Sequence, residues 1–133
     1  MILCTSATEK HGKTALIYLI SSIFCALFGA VYEYFSFGVY SYHMLYAFAY
    51  PLIGGTLPAL IVCLRGINNP PWKVSEWFYH CGIATLTVGS IIRGVLDIYG
   101  TTNQLTQWYW YAGAALIITS IVLYVLKILC KRA

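Results

Sequence analysis

The sequence predicts an all-α protein, a four-helix transmembrane bundle. Three observations lead there: 60% of the 133 residues are hydrophobic, only 9% are charged, and four long runs contain no Asp, Glu, Lys or Arg. Soluble domains are roughly half apolar and about a quarter charged, so composition argues against a water-soluble monomer. It argues equally against disorder, which needs charge and little apolar surface. The net charge of +4 does not point to nucleic acid, because a binding face of that kind needs clustered Lys and Arg. The lipid bilayer is the expected partner, and no nucleic acid is.

The charge-free runs cover residues 14–32, 34–64, 77–92 and 98–126. A tilted helix needs about 20 apolar residues to cross about 30 Å of hydrocarbon, so the runs predict helices over 14–35, 40–64, 75–99 and 107–128 in a single membrane domain of residues 1–133. A transmembrane barrel does not fit, since the runs are continuously apolar and do not alternate in segments of about 10 residues. Helix 1 reads as an uncleaved span: it is long enough to cross, and Phe28 is too bulky for a signal-peptide cleavage site before Ala30. Helix 2 contains Pro51, Gly54, Gly55, Thr56 and Pro58 near mid-membrane, where each proline removes a backbone donor. Helix 3 carries Arg93 and Asp97 near its outer end. Helix 4 opens on Trp108, Tyr109, Trp110 and Tyr111, and its Ile, Leu and Val-rich inner half is expected to face lipid.

Lys10, Lys13, Arg65, Lys73, Lys127, Lys131 and Arg132 all fall on one side of this arrangement, which the positive-inside rule makes the cytoplasm. The expected location is the plasma (inner) membrane with both termini cytoplasmic. Trp72 and Trp77 at the inner end, and the aromatics opening helix 4 at the outer end, suit interfacial belts. Cys4, Cys63, Cys81 and Cys130 lie on or near the cytoplasmic side, where thiols stay reduced, and Cys25 is mid-span. No disulfide is expected, and no metal site, because no two Cys or His residues show zinc-ligand spacing.

Three groups of residues are candidate sites. Small residues permit close helix packing in lipid, and two such stripes occur: Ser22, Ala26, Gly29 and Ala30 on helix 1, and Gly82, Gly89, Ser90 and Gly94 on helix 3. They are expected to pack on one another or on a second copy. The Pro51 to Pro58 stretch predicts a kink or local unwinding, which serves either as a packing kink or as a midplane pathway, because irregular backbone at that depth must be buried or line a wet cavity. The third group is Glu33, Arg93 and Asp97. Arg93 and Asp97 stand four residues apart and can pair along one face, leaving Glu33 a second acceptor, with His43 and Tyr99 as neighbours. The group reads either as an external polar pocket or as a salt-bridge lock between helices 1 and 3.

No cofactor is expected, haem being the one alternative weighed. His43 and His80 fall on the order of 15 Å apart in depth, so a bis-His haem would need symmetry-related copies of one histidine. Serine-hydrolase, zinc-protease and phosphate-loop motifs are absent, which argues against an enzyme. The small multidrug-resistance transporters are similar in being short four-helix chains, but they carry a lone Glu about halfway along helix 1. Here that midpoint is Ser22 to Cys25, and Glu33 stands at the outer end. A shift of 64 residues aligns Glu33 with Asp97 and Phe35 with Tyr99, suggesting two parallel helical-hairpin repeats. Two functions follow as expectations: an accessory or structural subunit that docks to itself or to a larger membrane partner, and a small homodimeric transporter or channel using helix 2 and the Glu33, Arg93, Asp97 group.

Overall fold

A computed structural model describes residues 2–65 and 73–132; Trp72 and the side chains of Cys4 and Arg65 lie outside the described residues. Among those described there is no strand. Four helical stretches are long and apolar enough to cross a membrane: Glu9–Phe35, Tyr42–Leu64, Lys73–Ile98 and Thr106–Arg132. The start of the first span and the end of the fourth lie at what we term the terminal end, and the turns after Phe35 and after Ile98 lie at the turn end.

Helix α1 (Ile2–Phe35) runs 34 residues, about 51 Å at 1.5 Å per residue. It starts well before Thr14 because that stretch has no proline and its one glycine, Gly12, is tolerated at a cost of about 1 kcal/mol. Glu9 and Lys13 pair at 2.7 Å, with the acid N-terminal to the base as the helix dipole prefers, and Thr14 bonds back to the Lys10 carbonyl at 3.0 Å. The turn that follows needs two left-handed residues, Phe37 (φ 53°) and Gly38 (φ 90°). The Ser36 hydroxyl closes it onto the carbonyls of Glu33 and Val39, at 2.8 and 2.6 Å.

Helix 2 is not one α-helix. It is a single turn, α2 (Tyr42–Leu45), then a π-helical segment (Tyr50–Thr56), then α3 (Leu57–Arg65). The prolines cause this: Pro51 and Pro58 have no N–H to give the carbonyls four residues back, those of Ala47 and Gly54. The backbone widens instead, and the Leu57 N–H reaches the Leu52 carbonyl five residues back. Such π turns gather at functional sites.

Helix α4 (Lys73–Ile98) ends in a Schellman turn. Thr101 N–H bonds the Leu96 carbonyl and Gly100 N–H bonds that of Asp97, with Gly100 left-handed at φ 70°. Helix α5 (Thr106–Arg132) then runs unbroken for 27 residues, so the two hairpins differ in build.

Backbone packing follows chain order: α1 lies on helix 2, α2 and the π segment lie on α4, and α4 lies on α5. Among the described residues the α1 and α4 backbones are not neighbours, so the two small-residue stripes do not face each other. Gly29 and Gly94 close on Met44 from opposite sides, and Met44 is only 1% exposed. Gly82 and Gly89 face Ile117 and Tyr109 of α5. Ser22 and Ser90 donate to the carbonyls of Phe48 and His43, at 3.1 and 2.7 Å. Helix 2 is therefore clasped on both sides by hydroxyls and glycines, the Phe48 carbonyl accepting from Ser22 as well as from the Leu52 N–H. Large apolar side chains such as Ile17, Phe24, Val122 and Leu129 are exposed on α1 and α5, a surface compatible with a small membrane protein.

Candidate functional site

The ionisable and polar groups fall into two clusters, one near each end. At the turn end, Arg93 Nε lies 3.4 Å from Asp97 Oδ1, one helical turn along α4. The other Asp97 oxygen accepts the Ser41 hydroxyl at 3.2 Å. Glu33 does not join them: its Oε1 is buried without a hydrogen-bond partner among the described residues, and so is Arg93 Nε. His43 stacks edge-on to Trp110 at 6.0 Å and gives its carbonyl to Ser90. Tyr99 lines a separate pocket of about 410 Å³ with Tyr32 and Phe35. Sequence neighbours at one depth are thus divided between an α4–α2 contact and an α1–α4 pocket.

Nearer the terminal end, α1, the π segment, α3, α4 and α5 line an open cavity of about 280 Å³. Gly54 and Gly55 each serve it differently. The Gly54 carbonyl, which Pro58 cannot satisfy along the helix, accepts the Tyr79 hydroxyl at 2.6 Å. Gly55 provides the room for the Tyr18 ring, since a Cβ there would fall inside that ring. Across the cavity the Tyr18 hydroxyl makes a short hydrogen bond with His80 Nδ1. His80 Nε2 lies 3.8 Å from Glu76 Oε1, and Glu76 Oε2 lies 3.7 Å from Lys10 Nζ. Lys10, Glu76, His80 and Tyr18 thus form a polar chain from the terminal end inward, bridging α1 and α4 where their backbones stand apart.

Of the helix 2 residues singled out in the sequence, Gly55 and Pro58 line this cavity, and Thr56 turns its hydroxyl back toward the Pro51 carbonyl at 3.4 Å. Tyr79 also lines a groove of about 420 Å³ on the far side of Gly54, with Tyr50, Ile53 and Leu86. It therefore stands between the two spaces.

Sequence reasoning missed Tyr18, Glu76 and Tyr79, and weighed His80 only for haem. One signal was available: Glu76 and His80 are four residues apart and share a helix face. Tyr18 carried no such signal, because a tyrosine near a span end reads as interfacial. Among the described residues no three His, Cys, Asp or Glu side chains gather as metal ligands would. Compared with known protein families, curated proteins and solved structures, the chain has no match.

Proposed function

We propose that this is a multi-pass protein of the plasma (inner) membrane that takes a small solute into the cavity beneath its broken helix, working as a transporter or channel subunit. The carrying observation is the π segment with its prolines: irregular backbone at membrane depth persists where it is buried or lines a wet space, and here Gly55 and Pro58 line a cavity that also holds Glu76 and His80. Ionisable groups inside spans are costly and are kept for pathways and relays. With seven of eight Lys and Arg at the terminal end, both termini and the cavity mouth are cytoplasmic. Four helices enclose little of a solute route, so the chain acts as a homo-oligomer or beside a larger membrane partner.

Accessibility from water tests this reading. Ala59, on the cavity wall, is replaced by Cys after the native cysteines are changed to Ala, and a membrane-impermeant maleimide is added to oriented vesicles. Labelling in inside-out vesicles alone is expected. Failure to label from either side would sink both the wet cavity and the proposed site.

A second reading, an accessory or structural subunit, is favoured by α5, whose span is the least buried of the four at 11% and offers an apolar face to a partner helix. Native mass spectrometry of gently extracted protein separates the two. A stoichiometric larger partner marks a subunit, and a defined homodimer marks a self-contained unit.

A further inference from the structure

The polar inventory of the cavity says what kind of solute it suits. Most of its hydroxyls are already engaged: Thr14 donates to the Lys10 carbonyl, Tyr79 donates to that of Gly54, and Tyr18 is hydrogen-bonded to His80. Ser75 and Ser120 donate to each other's carbonyls at 2.8 and 2.7 Å. The floor contributed by helix 2 includes Pro58, which has no N–H. An anion or a sugar entering this space would find few uncommitted hydroxyls to replace its water, and such desolvation is costly; besides Glu76, the Tyr124 hydroxyl and the imidazoles of His11 and His80 are the other polar groups on the wall.

The acceptor side is the reverse. Among the described residues Glu76 is the only carboxylate lining the cavity, its side chain is 18% exposed, and the Lys10 ammonium and His80 Nε2 stand 3.7 and 3.8 Å from its oxygens, outside hydrogen-bond distance. Lys10, the formal partner, is 65% exposed at the mouth and holds a surface-type pair worth little. Tyr18, Tyr79 and Tyr124 add aromatic walls, and a cation over a tyrosine face within about 6 Å is attracted by the ring quadrupole, most strongly when desolvated. One loosely held carboxylate sharing a cavity of about 280 Å³ with three tyrosines matches a small organic cation.

We propose that the cavity beneath the π-helical segment binds a small organic ammonium ion, with Glu76 as its counter-charge and Tyr18, Tyr79 and Tyr124 as its cage. This rests on the cavity being reached by water, and the test separates the two. In the Ala59→Cys protein, choline, its neutral isostere dimethylbutanol, and inorganic phosphate are each added before the maleimide. Choline slows labelling at least tenfold; dimethylbutanol and phosphate do not; and Glu76→Gln removes the protection, read as the ratio of labelling rates with and without choline in that same variant.

Labelling that no probe slows, or that dimethylbutanol or phosphate slows as well as choline does, overturns the ammonium assignment while the wet cavity stands. Protection that survives Glu76→Gln overturns the role of the carboxylate. No labelling under any condition overturns the cavity reading beneath it. Should Ala59→Cys fail to fold, calorimetric titration of choline into the unsubstituted purified chain decides instead. Saturable binding with dimethylbutanol at least tenfold weaker supports the assignment, and absence of binding overturns it.

Discussion

The two ends of the molecule handle charge and backbone irregularity in opposite ways. At the turn end, helix 2 is pinned by backbone contact: Gly94 sits so close to Met44 that a Cβ would meet its N and Cα at 2.9 Å, and Asp97 is held by Arg93 and Ser41. Toward the terminal end side chains make the contacts instead: Tyr18 of α1 reaches His80 of α4, and Tyr79 of α4 reaches the Gly54 carbonyl, leaving space beside Glu76. A tight end and an open end in one small chain teach that buried charge alone does not mark a site. Glu33 at the tight end also has a buried oxygen without a hydrogen-bond partner among the described residues; what distinguishes the cavity is that its carboxylate lines an open space shared with three tyrosines.

The largest effect is expected at the tight end. Gly94→Ala drives a methyl into the Met44 backbone, which cannot swing aside as a side chain could, and overpacking of this kind costs typically about 1–3 kcal/mol, occasionally more. Thermal unfolding in detergent should place it at or above the top of that range. At the open end Gly55→Ala strikes a tyrosine ring instead, so a smaller loss is expected. Its signature is rescue: Gly55→Ala should cost less when combined with Tyr18→Ala, because the ring it displaces is gone. Equal cost in both backgrounds would mean that Tyr18 does not occupy that notch.

The carboxylates should separate stability from binding. Asp97→Asn is expected to lower stability by about 1 kcal/mol, as loss of a charge-assisted hydrogen bond at a part-exposed site does, with choline protection at Ala59→Cys intact. Glu76→Gln should do the reverse, leaving the unfolding midpoint nearly unchanged and abolishing protection. If both substitutions behave alike, the contrast between the ends fails. The smallest effect belongs to Lys10→Ala, within about 0.5 kcal/mol of the unsubstituted protein, since a long, exposed ion pair contributes little.

The four spans were legible because apolar length is a local property, and so was the break in helix 2, because a proline withholds its own N–H wherever it stands. Partnerships between helices were not. Gly29 and Gly94 each signal close approach, but neither says that both approach Met44, an apolar residue with no local mark. Arg93 and Asp97 could be paired from a spacing of four within one helix, whereas the separation of Glu33 from them depends on how α1 leans on helix 2. Tyr18 is the clearest omission: its position reads as an interfacial ring, and only the notch at Gly55, 37 residues along the chain, turns it toward His80.

The central claim is that Tyr79 supplies the hydrogen bond that Pro58 denies to the Gly54 carbonyl, and so holds helix 2 open over the cavity. A double-mutant cycle tests it directly, because contacting groups reveal their coupling as a failure of additivity. Thermal unfolding is measured for Tyr79→Phe, Pro58→Ala and the combination. The expected result is that Tyr79→Phe alone costs about 1–3 kcal/mol, as orphaning a buried acceptor does, and costs much less once Pro58→Ala has restored a backbone N–H that can reach Gly54. An equal cost of Tyr79→Phe in both backgrounds would contradict the claim.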